Sequence, residues 1–172
     1  MERVMHLTVV TAVLLSVGIL NAVTAQPHTE ELLSVCEELG HVACGEGWSR
    51  IDAKRCVKYF QTPKSFDDAK EHCNSSGSEL VTFQTQEEMM KAVCVTLHGN
   101  PEPESLWIGV ERSGEGFVNV DGSEVKHAQW YPGQPDHFGG QENCVTINHK
   151  EWGLWNDANC KEEHHFMCVQ TM

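Results

Sequence analysis

Apolar side chains recur at helical spacing in one stretch of the first half of the chain. Phe66, Ala69 and Cys73 are three and four residues apart, so they would share one face of a helix. A serine N-cap with an acidic residue three positions later opens the stretch, and Gly77 follows its end. The pattern predicts a first helix from about Ser65 to Ser75.

A second helix is predicted a few residues further on. Thr85-Gln86-Glu87-Glu88 is a capping box, in which the first and last side chains each accept a hydrogen bond from the other residue's backbone N–H. The apolar residues that follow it at helical spacing are Met89, Met90, Ala92, Val93 and Leu97. The second helix is therefore expected to begin at this box.

Shorter apolar runs predict strands. Glu79 to Phe83 alternates between polar and apolar residues, and Leu106 to Val110 has the continuous apolar character of a buried strand. Further strands are predicted at Cys144 to Asn148 and His165 to Val169. Between about Glu111 and Gln141 regular structure is scarce, and we expect a bound cation to order this long loop. Helices first and strands later indicate an α+β domain.

The beginning of the chain resembles a secretory signal. An apolar stretch from Val9 to Leu20 precedes Val23-Thr24-Ala25, a small-x-small sequence of the kind that signal peptidase cleaves. We therefore assign residues 1–25 to a signal peptide, residues 26–43 to an acidic leader with one or two helical turns, and residues 44–172 to the main domain. No second apolar run is long enough to cross a bilayer, so we expect a secreted, extracellular protein without membrane insertion.

Charge and composition exclude several functions. The 25 Asp and Glu residues exceed the 12 Lys and Arg residues, and the net charge of −13 disfavours nucleic acid but suits calcium. Eight cysteines, an even number in a small chain with a secretory signal, favour disulfides. The chain has neither His-Glu-x-x-His nor Gly-x-Ser-x-Gly, and we predict that it is not an enzyme.

From Cys44 onward a series of short motifs resembles the C-type lectin-like domain family in its long form. In chain order they are Cys44-Gly45-Glu46-Gly47-Trp48, Phe66-x-x-Ala69-x-x-x-Cys73, Leu106-Trp107-Ile108-Gly109, Gln134-Pro135-Asp136, Glu142-Asn143-Cys144-Val145 and Trp155-Asn156-Asp157. The resemblance implies an α+β C-type lectin fold with two helices, short antiparallel sheets and a long calcium-binding loop. It also implies the disulfides Cys44 to Cys56, Cys73 to Cys168 and Cys144 to Cys160.

Cys36 and Cys94 lie outside these implied pairs. Either they bond to each other and fix the leader against the second helix, or Cys36 bonds to its counterpart in another chain. A single shallow sugar site binds weakly, and linked sites raise the apparent affinity. We therefore expect a homo-oligomer.

The resemblance assigns a calcium-ligand role to five residues: Gln134, Asp136, Glu142, Asn156 and Asp157. Their carboxylate and amide oxygens are ligands that calcium accepts. In this family Pro135 would follow a cis peptide bond, which aims its two neighbours at one point. We expect one Ca²⁺ rather than two, because a second site in relatives would need acids where this chain has His137 and Asn143, and only Glu115 matches.

Two adjacent sugar hydroxyls would complete such a site. Asp136 and Glu142 would accept hydrogen bonds from the hydroxyls, and the two amides would donate. The order amide, proline, acid resembles galactose-type members and indicates galactose or N-acetylgalactosamine, whereas the short Gly139-Gly140-Gln141 connection has mannose-type length and leaves mannose open. Phe138 either stacks on the sugar or plugs the loop.

These features predict a secreted calcium-dependent lectin that binds galactose-like terminal sugars on microbes or glycoproteins, as in innate immunity or agglutination. One alternative is a module of the same fold that binds protein or ice, with calcium only ordering the loop. Another is a glycan hydrolase that uses a carboxylate pair. Asn74 begins the sequon Asn74-Ser75-Ser76 and is a candidate glycosylation site.

Overall fold

The computed structural model describes residues 27–172, so the signal peptide predicted at residues 1–25 lies outside the described part of the chain. The helices are α1 (Pro27–Leu39), α2 (Phe66–Ser75) and α3 (Gln86–Gly99). The strands are β1 (Ala43–Gly45), β2 (Trp48–Arg50), β3 (Arg55–Lys64), β4 (Glu79–Leu80), β5 (Leu106–Ser113), β6 (Gly116–Asn119), β7 (Glu142–Ile147), β8 (Trp155–Asn159) and β9 (His164–Thr171). A short 3-10 helix, Phe138–Gly140, precedes β7. The predicted α+β class is confirmed.

Both predicted helices begin at their predicted caps. Ser65 Oγ accepts a hydrogen bond from the Asp68 backbone N–H at 3.2 Å ahead of α2. Ahead of α3, Thr85 Oγ1 accepts from the Glu88 N–H at 3.2 Å, and the Glu88 carboxylate accepts from the Thr85 N–H at 3.3 Å. The capping box is therefore formed, and it fixes the start of α3.

The segment predicted as a leader contains α1, a helix of 13 residues, so the described chain has three helices rather than two. Cys36 of α1 is bonded to Cys94 of α3, and both pack with Leu97 in a small buried apolar cluster. The predicted alternative of a Cys36 bond to a second chain is wrong, because its sulfur is already bonded within the chain. An oligomer cannot be linked covalently through Cys36.

The nine strands of the described chain lie in one sheet. Its order is β1-β2-β3-β9-β5-β7-β8, with β4 paired to β9 and β6 paired to β5. All the pairs are antiparallel except β5 and β9, which run parallel with Leu106 opposite His165. The prediction of short antiparallel sheets is corrected in two respects. There is one sheet rather than several, and it is mixed rather than antiparallel. Its parallel pair joins distant segments, which a local pattern does not reveal.

Strand bounds also differ from the predicted ones. Of the run Glu79 to Phe83 only β4 is a strand, because Val81 keeps one bond to β9 but turns its carbonyl to β5. Its N–H donates to the Met167 carbonyl at 2.9 Å, and its own carbonyl accepts from the Gly109 N–H at 2.7 Å. β9 extends beyond the predicted His165 to Val169 at both ends. β6 lies inside the region in which regular structure was expected to be scarce.

Three further disulfides join the elements in the pairs that the resemblance implies. They are Cys44–Cys56, Cys73–Cys168 and Cys144–Cys160. The first ties β1 to β3, the second ties α2 to β9, and the third links β7 to the residue that follows β8. The last of these closes the end of the sheet that bears the long loop.

Trp155 anchors that end of the sheet in the core. Its side chain is 1% exposed, its indole N–H lies 3.4 Å from the Met89 sulfur, and its ring meets Trp130 edge to face at 5.8 Å. Trp155 begins β8, which pairs with β7 so that Val145 lies opposite Asp157. Core packing at one residue thus fixes the two polar residues that follow it beside β7.

Candidate metal centre

Three carboxylates meet where residues 134–142 lie against β7 and β8. Asp136, Glu142 and Asp157 each offer one oxygen, and these oxygens lie within 4.8 Å of one another. Asp136 is exposed, Glu142 is partly exposed and Asp157 is fully buried. Within residues 27–172, no other group of three His, Cys, Asp or Glu side chains comes as close together.

Asp157 is the buried member of this group and lies beneath the loop. Its Oδ1 accepts a hydrogen bond from the Asp136 backbone N–H at 3.0 Å. Its Oδ2 accepts from the His137 N–H at 3.0 Å and from Arg112 Nη2 at 2.8 Å. One carboxylate on β8 therefore binds two consecutive amides of the loop and one guanidinium.

Glu142 holds the other end of the loop. It is the first residue of β7, and its Oε2 accepts a hydrogen bond from the Phe138 backbone N–H at 2.7 Å. The same N–H lies 3.2 Å from Asp136 Oδ1. Phe138 itself is 79% exposed. Its side chain is therefore exposed to solvent and does not plug the loop, which was one of its two predicted roles.

The two predicted amide ligands bond to backbone groups of Asp136 and Asp157. Gln134 Oε1 accepts a hydrogen bond from the Asp136 N–H at 3.2 Å, and Asn156 Nδ2 donates to the Asp157 backbone carbonyl. The Gln134–Pro135 peptide bond is cis, as the resemblance implies. The structure thus brings the three predicted carboxylates together from three separate segments of the chain, and it places the Gln134 side chain beside Asp136.

Comparison with known proteins gives the family. Residues 62–170, more than half of the chain, match the model of the Lectin C-type domain. The chain belongs to the C-type lectin domain family. C-type isolectin Sp-CL4 of Scorpaena plumieri is 41% identical over 134 residues, which cover 78% of this chain and 93% of the relative.

Solved structures show that the fold is that of a C-type lectin domain. The mouse scavenger receptor C-type lectin carbohydrate-recognition domain has a TM-score of 0.65 at 29% identity and covers 75% of this chain and 98% of its own. Herring type II antifreeze protein has a TM-score of 0.66 at 24% identity, over 75% of this chain and 99% of its own. The second likeness shows the fold alone.

C-type lectin domains are carbohydrate-binding modules rather than enzymes, and they generally bind calcium. The donor set of this C-type lectin domain fits that ion, because it consists of carboxylate and amide oxygens. Oxygens that bind one calcium at about 2.3–2.6 Å lie at most about 5 Å apart. The 4.8 Å limit within the carboxylate group satisfies this condition.

The carboxylates in the site of this C-type lectin domain repel one another. Burial raises the pKa of Glu142 above its ordinary value, and the Phe138 N–H acts in the opposite direction. A hydrogen bond with Asp136 and the negative charges of Asp157 and Asp136 raise the same pKa further. A cation placed among the three carboxylates would relieve this repulsion.

The raised pKa gives a prediction for pH. Only the ionised form of Glu142 can bind calcium, so protons should compete with the ion at a pH above 4.5, the ordinary pKa of this group. The calcium affinity should therefore fall steadily as the pH is lowered from neutral to about 5. Calorimetric titrations at several pH values measure this, and a constant affinity over that range would contradict the assignment of Glu142.

The metal-free protein should show the opposite trend. A carboxyl group whose pKa is higher in the folded than in the unfolded chain stabilises the fold when it is protonated. The contribution of Glu142 to stability should therefore be present below pH 4.5 and lost as pH rises through the raised pKa. Glu142→Gln serves as the control, because it removes the titrating group from both experiments.

Sequence analysis missed Arg112, which contacts two of the predicted site residues. Its Nη2 binds the Asp157 carboxylate, and its Nε donates to the Glu142 backbone carbonyl at 3.2 Å. A cationic residue two positions after the buried run Leu106 to Val110 was the available signal. Asp157 lies 45 residues further along the chain, so spacing alone could not pair them.

Two other predicted residues lie outside the carboxylate group. Glu115 is exposed in the turn between β5 and β6, and it does not join the three carboxylates. Asn74 is exposed near the end of α2, so its side chain is accessible for the proposed glycosylation. In the described part of the chain, no helix is long and apolar enough to span a membrane.

Proposed function

We propose that the protein is a secreted calcium-dependent lectin for terminal galactose or N-acetylgalactosamine. The observation that carries the proposal is the convergence of Asp136, Glu142 and Asp157 with oxygens within 4.8 Å, next to two amide side chains. The isolectin and the carbohydrate-recognition domain among the relatives support a sugar as ligand. The proposed glycans are those of microbes or glycoproteins, bound for example in innate immune recognition.

In this proposal Gln134, Asp136, Glu142, Asn156 and Asp157 hold one calcium ion. The ion supplies a positive centre with coordination positions left for two neighbouring sugar hydroxyls. Asp136 and Glu142 accept hydrogen bonds from these hydroxyls, and the amides of Gln134 and Asn156 donate to them. The alternation of acids and amides thus suits hydroxyl groups, which both donate and accept.

Galactose is preferred on two grounds. Gln134 precedes and Asp136 follows the cis proline, the order that resembles galactose-type members. Phe138 is 79% exposed, and its backbone N–H bonds to Glu142, so its ring is available near the site to stack on the apolar face of galactose. The short Gly139 to Gln141 connection is the feature that speaks for mannose.

Secretion and oligomerisation complete the proposal. Four disulfides in the described chain require an oxidising compartment, which agrees with the apolar stretch that precedes Ala25. Several shallow sugar sites on one oligomer would raise the apparent affinity for a glycan surface. Because Cys36 is bonded within the chain, it would not link the chains of the oligomer covalently.

A second candidate function is binding of protein or ice, with calcium only ordering the loop. It is favoured by the ion pair between Arg112 and Asp157, which occupies one oxygen of a predicted calcium ligand in a structural contact. The fold shared with herring type II antifreeze protein is compatible with it.

A glycan array probed with and without calcium distinguishes the two functions. Calcium-dependent binding to glycans that end in galactose or N-acetylgalactosamine supports the lectin. Absence of binding to every glycan at saturating calcium, or binding that chelator leaves unchanged, would exclude it. Depression of the freezing point in chelator is the result that ice binding predicts.

The order of amide and acid gives a specificity prediction. The double substitution Gln134→Glu with Asp136→Asn keeps two oxygen ligands and the formal charge, so calcium affinity should change little. It exchanges the donor and acceptor sides of the ion, and the preference between galactose and mannose should shift by about tenfold towards mannose. Competition with both monosaccharides at saturating calcium measures the shift, and an unchanged galactose preference would show that this tripeptide does not set specificity.

A further inference from the structure

Arg112 lies at the base of the site and bonds to residues of both strands that bear it, β7 and β8. It belongs to β5, and its side chain is 16% exposed. Its Nη2 donates to Asp157 Oδ2 at 2.8 Å on β8, and its Nε donates to the Glu142 carbonyl at 3.2 Å on β7. The guanidinium carbon lies over the Phe117 ring, 4.6 Å from its centroid. Contacts on three sides hold this side chain in one position.

The loop depends on the carboxylate that Arg112 holds. Asp157 accepts the backbone N–H groups of Asp136 and His137, each at 3.0 Å. Among the hydrogen-bond partners of this carboxylate in the described chain, the guanidinium is the one that carries a charge. A fully buried carboxylate without a counterion would be strongly destabilised, so its position depends on Arg112.

We propose that Arg112 is the positioning residue of the site and keeps residues 134–142 in the conformation described here without a bound ion. The guanidinium fixes Asp157 and the Glu142 carbonyl, and Asp157 fixes the amides of Asp136 and His137. Three carboxylates and one guanidinium leave a formal charge of −2, which one divalent cation neutralises. The ordering of the loop does not rest on the proposed calcium or sugar.

Hydrogen exchange of individual backbone amides, followed by NMR in chelator without sugar, tests this role. In the unsubstituted protein the amides of Asp136 and His137 should be protected. In Arg112→Met they should exchange about tenfold faster or more, because charge-assisted hydrogen bonds are lost. Arg50→Met is the matched control. Arg50 is exposed and its described side-chain contact is to Met172, so its replacement should leave these amides unchanged.

Arg112→Lys is a second variant, for the case that Arg112→Met does not fold. Lysine keeps the charge but cannot reach both acceptors with a planar fork, so the loop amides should exchange faster than in the unsubstituted protein. Exchange of the β3 and β9 amides in the same spectra reports whether each variant is folded. Loop amides that are unprotected in the unsubstituted protein, or equally protected in the folded Arg112 variants, would overturn the proposal.

Addition of calcium to the same samples separates this inference from the proposed function. Calcium should restore protection of the Asp136 and His137 amides in Arg112→Met if the carboxylates bind the ion. Faster exchange in chelator without recovery in calcium would support the positioning role and contradict the calcium site. Equal protection in chelator combined with a calcium-dependent change would do the reverse.

Discussion

Replacement of Asp157 by alanine should lower the free energy of unfolding of the metal-free protein by about 3 kcal/mol and abolish calcium binding. The stability loss follows from breaking a buried ion pair, since Arg112 would be left without a partner. The amides of Asp136 and His137 would lose their acceptor as well. Urea denaturation in chelator measures the stability, and calcium titration measures the binding.

Asp136→Ala is the matched control for this experiment. Asp136 is an exposed carboxylate of the same group, so its replacement should also prevent calcium binding but cost less than about 1 kcal/mol of stability. Equal stability of the two variants would contradict the structural role of Asp157. Undiminished calcium affinity in both would contradict the assignment of the metal centre.

Replacement of both Cys73 and Cys168 by alanine should cost about 4–5 kcal/mol in the free energy of unfolding. The two residues are separated by 95 positions, and in the chain-entropy model a bond across so long a loop removes much of the freedom of the unfolded chain. Both cysteines are fully buried, between α2 and β9. Urea denaturation under non-reducing conditions measures the change.

The Cys144 and Cys160 pair provides the comparison. Its sequence separation is 16, so the same double replacement there should cost about 3 kcal/mol. This second variant should lose more calcium affinity, because it frees the end of β7 and β8 that bears Glu142 and Asp157. Equal stability losses would show that loop length does not control the contribution of these bonds.

Local signals were sufficient for the parts of the fold that local interactions form. The caps at Ser65 and Thr85 fix helix starts through contacts with residues three positions away, and both predictions were confirmed. The parallel pairing of β5 with β9 depends on contacts between distant segments, and no short pattern encodes it. The irregular path after β4 arises in the same way, because the Val81 N–H still bonds to Met167 of β9 while its carbonyl bonds to Gly109 of β5.

For the candidate site too, sequence motifs predicted some residues, and contacts between distant segments determine the others. Its five ligand candidates come from motifs that resemble a known family, and the structure brings the three carboxylates among them together. Arg112 belongs to none of those motifs, and its role depends on Asp157, a partner that only the pairing of β5, β7 and β8 brings near. For Cys36 the sequence left two alternatives open, and the packing of α1 against α3 decides between them.

The central claim is tested most directly by calorimetry. The protein is treated with chelator, the chelator is removed, and calcium is then titrated into the protein. Three carboxylates balanced by one guanidinium predict a single ion per chain at neutral pH, and no heat of binding in Glu142→Gln. Galactose added afterwards should release heat only from the calcium-loaded protein. A protein that takes up no calcium, or binds galactose equally well without it, would contradict the account.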